Sequence, residues 1–102
     1  MIAVALLLVL LNGTDCTATS KEFTAQPHWR ITCKCAKSGP QPDVTVYIDP
    51  AAGSDNIQVI HMTGNGEQSA YYRDGGRFKV TVNGWDASWN LTVEDSNNAP
   101  TH

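Results

Sequence analysis

Four stretches of this 102-residue chain alternate apolar and polar residues with a period of two. Trp29, Ile31, Cys33 and Cys35 alternate with Arg30, Thr32 and Lys34. Val44, Val46 and Ile48 alternate with Thr45, Tyr47 and Asp49. Phe78, Val80 and Val82 alternate with Lys79, Thr81 and Asn83. Trp89, Leu91 and Val93 alternate with Asn90, Thr92 and Glu94. Successive side chains of a strand leave on opposite faces, so each run reads as a half-buried antiparallel strand. β-branched and aromatic residues fill the runs, as pleated surfaces prefer. Shorter strands are expected over 22–24, 57–62 and 68–72, and no stretch has helical periodicity for longer than a turn. Turn chemistry separates the runs: Ser38-Gly39-Pro40-Gln41-Pro42, the segment 49–56, Thr63-Gly64-Asn65-Gly66, Asp74-Gly75-Gly76 and Asn83-Gly84. Asp-Gly and Asn-Gly pairs tolerate positive φ and close hairpins. About seven short strands at this spacing imply an all-β, antiparallel β-sandwich or barrel.

Composition separates the N-terminus from this pattern. Five of the six leucines lie in the first eleven residues, whereas a helical bundle would spread them along the chain. Ile2 to Leu11 is an unbroken apolar run, half the roughly 20 residues a bilayer-spanning helix needs. Its length is that of an export signal's hydrophobic region, although no Lys or Arg precedes it. Small and polar residues follow, through Ala18. Residues 1–18 therefore read as an export signal or lipoprotein-like leader, with a buried N-terminal strand or helix as the alternative. The expected division is leader 1–18, sandwich 19–98 and frayed tail 99–102, and the expected location is secreted or anchored at the cell surface.

Cys16 sits where a bacterial lipoprotein carries its lipidated cysteine, but Asp15 replaces the small residue that should precede it. Three cysteines in an exported chain leave one removed, lipidated or unpaired. Cys33 and Cys35 share a strand face about 7 Å apart, too far for an unstrained disulfide. Cys16 is thus the candidate for lipidation or for a disulfide with either. Cys-x-Cys without a second pair lacks zinc-site spacing.

The stretch from Trp29 to Asp95 resembles the bacterial pre-peptidase C-terminal domain and its CUB-like relatives. Asp43-Val44-Thr45-Val46-Tyr47-Ile48-Asp49-Pro50 is similar to that family's aspartate-led strand ending in Tyr-x-Asp-Pro. Gly76-Arg77-Phe78-Lys79-Val80-Thr81-Val82 resembles its Gly-x-aromatic strand, and Ser88-Trp89-Asn90-Leu91-Thr92-Val93 its closing strand. The resemblance implies a jelly-roll-like sandwich, exported, non-catalytic, and in some members polymer-binding.

Charge and motifs narrow the function. Seven Lys and Arg against ten Asp and Glu give a net charge of −3, which supplies no phosphate-neutralising face for nucleic acid. No nucleophile elbow, zincin helix or phosphate loop occurs, and a cysteine alternating with Trp29 and Ile31 reads as inert core. No enzyme is expected. Trp85 falls in a turn between Gly84 and Asp86, and Tyr47 lies on the polar face of its strand. An exposed aromatic beside carboxylates and amides stacks on sugar rings, so Trp85, Asp86, Tyr47 and Tyr72 are the candidate ligand contacts, with Trp85 folded back as a plug over the sandwich end as the simpler alternative. Asp49 and Asp55, with Asp43 as a further oxygen ligand, are the candidates for a calcium ion, with turn chemistry as the simpler account of them; no other cofactor is expected. The expected function is an exported binding or interaction module for a glycan or another extracellular polymer. The alternative is a structural surface or envelope protein packed against a protein partner. Membrane contact would come only through a lipid on Cys16.

Overall fold

Nine strands form in the computed structural model, which describes residues 6–53 and 55–95: β1 Leu6–Thr14, β2 Thr17–Thr19, β3 Phe23–Ala25, β4 Trp29–Lys37, β5 Asp43–Pro50, β6 Ile57–Met62, β7 Gly66–Tyr72, β8 Gly76–Trp85 and β9 Ala87–Asp95. All seven expected strands are present. The count is nine because the N-terminal region adds β1 and β2. No described segment is helical.

Two antiparallel sheets pack as a sandwich, one in the order β1-β9-β4-β7 and the other β2-β8-β5-β6, with β3 continuing β2 along the same edge of β8. If β2 and β3 share one position, the first half of the chain pairs with the second in reverse order: β1 with β9, β2 and β3 with β8, β4 with β7, β5 with β6. The molecule is one long antiparallel ribbon folded over itself, which is the jelly-roll connectivity. The contacts between β4 and β9 and between β5 and β8 close the two sheets.

The alternation dictates the core. Trp29, Ile31 and Cys33 from β4, Val44, Val46 and Ile48 from β5, Val80 and Val82 from β8, and Trp89, Leu91 and Val93 from β9 are fully or almost fully buried. Their alternates face outward. One end of the core is aromatic: Trp29 packs 5.2 Å from Phe23, 4.9 Å from Phe78 and 5.9 Å from Tyr72. Trp29 Nε1 donates to the Asp74 carbonyl at 3.0 Å, so its buried N–H is satisfied. The other end is held by Trp89, whose Nε1 donates to the Cys16 carbonyl at 3.3 Å. Gly84 also donates its N–H to that carbonyl, at 3.0 Å. A Cβ on Gly84 would lie 2.6 Å from Trp89 Nε1, so only glycine lets β8 pass so close to the indole.

The leucine-rich segment is a strand here. Leu6–Thr14 pairs along β9, with an irregularity between Leu7 and Val9. Leu8, Val9 and Leu11 pack against the core, while Leu7 and Leu10 are exposed on the outer face. Residues 96–102, which include the expected frayed tail, lie outside the described residues.

Candidate functional site

Register fixes what each outer face presents. On the outer face of the sheet containing β8 and β5, Asp43 lies opposite Trp85, Thr45 opposite Asn83, Tyr47 opposite Thr81 and Asp49 opposite Lys79. β2 extends these rows with Thr17 beside Asn83 and Thr19 beside Thr81. β6 adds His61 beside Thr45. Short side chains tie the rows together. Thr17 Oγ1 donates to Asn83 Oδ1 at 3.0 Å, and the Thr19 and Thr81 hydroxyls lie 3.0 Å apart. Thr45 Oγ1 donates to Asp43 Oδ1 at 3.3 Å. His61 Nε2 lies 3.2 Å from both carboxylate oxygens of Asp43 and carries the hydrogen between them.

Trp85 stands at the end of this face with 67% of its surface exposed, the most of any large apolar side chain among the described residues. The turn behind it holds it there. Asp86 adopts φ 52°, a left-handed conformation that Asp tolerates better than most residues. Its carbonyl accepts the N–H groups of Ser38 and Gly39 at 2.8 and 3.0 Å, and its carboxylate accepts that of Gln41 at 3.1 Å. Asp15, at φ 50°, makes the matching contact from the other side: its carboxylate accepts the Ala87 N–H at 3.1 Å, and its own N–H donates to the Ala87 carbonyl at 3.0 Å. Two aspartates thus clamp the loops at 15–16, 38–42 and 85–87 to one another.

The result is an open cleft of about 650 Å³ at this end of the sandwich. The loop contributes Pro40, Gln41 and Pro42, and β8 contributes Asn83, Gly84 and Trp85. Asp43, Thr17 and Thr63 complete the lining. The cleft combines an indole face with amide, hydroxyl and carboxylate groups, and Asp43 is its one ionisable lining side chain.

The four expected ligand contacts do not form a single site. Trp85 lines the cleft. Asp86 is next to it, but its carboxylate is engaged by the Gln41 backbone, so it builds a wall. Tyr47 is half-buried on the same outer face, four residues along β5 from Asp43, or roughly 13 Å at strand rise. Tyr72 lies at the opposite end of the sandwich, half-buried, with its ring 5.6 Å from Phe78 and 5.9 Å from Trp29. There it lines a smaller cleft of about 260 Å³ with Phe78 and Arg77. The sequence did not place Asn83 or Pro40 at a site, and it offered Asp43 only as an oxygen ligand beside Asp49 and Asp55. A signal existed for Asp43, which begins the alternating β5 run on its polar face.

Asp49 stands on β5 opposite Lys79, and Asp55 is exposed in the loop that follows. Among the described residues no three His, Cys, Asp or Glu side chains gather as a metal-holding set. Cys16 is exposed and in no disulfide. Cys33 and Cys35 are buried on the inner face of β4. Burial, aided by the neighbouring Cys35, pushes the Cys33 thiol up to about 11, and burial also raises Cys35. Both stay protonated near neutral pH, and His61 lies on the outer face of the other sheet, away from them.

No protein-family model matches the chain, and no curated protein matches it. Among solved structures, the fold is similar to Aeromonas hydrophila PliG, a periplasmic lysozyme inhibitor of g-type lysozyme. The TM-score is 0.50 at 14% identity, over 90% of this chain and 86% of that one. The infectious bursal disease virus Gx strain structure aligns with 93% of this chain and 32% of its own, at 12% identity and a TM-score of 0.44.

Proposed function

We propose that this chain is a non-catalytic binding module that works outside the cytoplasm and holds an extracellular glycan in the Trp85 cleft. The exposed, clamped indole carries the reading. What sets Trp85 apart from other exposed apolar side chains is its place in a cleft lined with amides and hydroxyls, and a sugar ring offers the flat C–H face that an indole stacks against. Gln41, Asn83, Thr17 and Asp43 supply amide, hydroxyl and carboxylate groups for the sugar's hydroxyls. The length of the apolar run is the ground for export, although in the full chain residues 6–14 of that region form β1 against β9; the likeness to pre-peptidase C-terminal and CUB-like domains belongs to the same proposal. A lipid anchor of the bacterial kind on Cys16 would require cleavage before that residue and the loss of β1 from the sandwich.

A second reading has one observation in its favour. The Aeromonas neighbour in fold is an inhibitor of a g-type lysozyme, so a protein partner on the same cleft is the competing proposal. A glycan array probed with the wild-type chain and with Trp85→Ala separates the two. Binding by the wild type that Trp85→Ala loses supports the glycan reading. An array with no wild-type binding, together with inhibition of a g-type lysozyme by the wild type, replaces it with the protein reading.

A further inference from the structure

We infer that the Trp85 cleft selects its glycan by charge and favours a sugar carrying a free amino group, with Asp43 as the specificity-determining residue. The inference rests on the glycan reading and adds a substrate class to it. Three observations carry it. First, Asp43 and Trp85 are cross-strand partners on one face, which places their Cβ atoms about 5 Å apart. A carboxylate and an exposed indole therefore share this end of the face, with the carboxylate turned toward Thr45 and His61. An ammonium group bound in the cleft is attracted both by that carboxylate and by the negative face of the ring. Second, no Lys or Arg lines the cleft, and the one imidazole beside Asp43, His61, already faces the Asp43 carboxylate, so a uronate, sulfate or phosphate would meet a carboxylate first. The second carboxylate nearby, Asp86 behind the Gln41 wall, has the same sign. Third, Asp43 is held in place by the Thr45 hydroxyl and by His61, with an oxygen-to-nitrogen distance of 3.2 Å to the latter. Those contacts orient the carboxylate, and half of its side-chain surface remains exposed for a ligand.

The experiment is a calorimetric titration of the full chain with three tetrasaccharides of equal length: a glucosamine oligomer with free amines, its N-acetylated form, and a galacturonate oligomer. The expected order of affinity is amine, then acetylated, then uronate. Asp43→Asn keeps an oxygen acceptor for Thr45 and His61 but removes the charge. It should lower affinity for the free amine about tenfold, the size of a charge-assisted contact, and leave the acetylated oligomer nearly unchanged. Equal binding of all three, preference for the uronate, or an amine affinity indifferent to Asp43→Asn overturns the inference while the glycan reading stands. Failure of all three to bind the wild type overturns the inference, while the glycan reading falls only if the array also shows no wild-type binding.

Discussion

Asp86 shows how one residue shapes the site without touching a ligand. Trp85 faces outward by the alternation of side chains along β8; behind it the Asp86 backbone turns through the left-handed region, and its carbonyl and carboxylate together hold three backbone N–H groups of the 38–41 loop. Asn tolerates the same φ and keeps a side-chain acceptor, whereas Ala does neither. Asp86→Asn should leave stability near wild type. Asp86→Ala should cost about 2 kcal/mol in urea unfolding, from backbone strain and a lost hydrogen bond; equal costs would refute the clamp. That Trp85 breaks the apolar–polar alternation of β8 was legible in the sequence, but whether the ring folds back over the core or stands in solvent was not; it stands in solvent. The role of Asp86 was not legible either, since no local pattern reveals which distant N–H groups a carboxylate will meet. Cys33 makes a prediction of a different kind. Its folded thiol is raised to about 11 against an unfolded value of 9.0, so the unfolded chain releases its proton first. The Cys33 contribution to stability is full below pH 9 and is lost as pH rises from 9 towards 11. Cys33→Ala should flatten the decline in unfolding free energy over that window, and an unchanged slope would contradict the assignment. In the native state near neutral pH, a thiol reagent should label Cys16 first.

At the scale of elements, β1 is where sequence reasoning and the structure differ most. The segment is apolar at nearly every position, so no alternation announces a strand, and its length matches an export leader. Its partner is β9, about eighty residues away, and pairings of that range leave no local trace. Within the strand the two faces are nevertheless unlike. Leu11 packs against the core, and Leu10 is 61% exposed on the outer face. In the full chain, Leu11→Asp should cost at least about 2 kcal/mol by placing a carboxylate against the core. Leu10→Asp should change stability by less than about 0.5 kcal/mol, as surface substitutions do. Denaturation midpoints that move equally for both would show that β1 does not sit on β9 in this register. β4, β5, β8 and β9 were readable because their alternation survives at every buried position, from Trp29 to Val93; β3, β6 and β7 were marked mainly by the turns around them, and β2, three residues long, left no pattern.

The whole molecule is a folded ribbon whose ends serve different purposes. At one end Phe23, Trp29, Tyr72 and Phe78 fill the sandwich with aromatic rings. At the other, loops from both sheets meet around the aspartate clamp and leave a polar cleft with an exposed indole. This division separates stability from binding: Tyr72 belongs to the packed end and Trp85 to the open one. Trp85→Ala should therefore leave the melting transition close to wild type while removing ligand contact. The composition makes this measurable. The chain has three tryptophans, of which Trp29 and Trp89 are buried and only Trp85 is open to solvent. Acrylamide quenching of tryptophan emission thus reports on the cleft alone. With the glucosamine oligomer added to saturation, the emission of the wild-type chain should shift to the blue and lose most of its quenching, with Trp85→Ala weakly quenched throughout. Quenching of the wild type that is unchanged by every glycan tested would contradict the claim that the Trp85 cleft is a sugar-binding site.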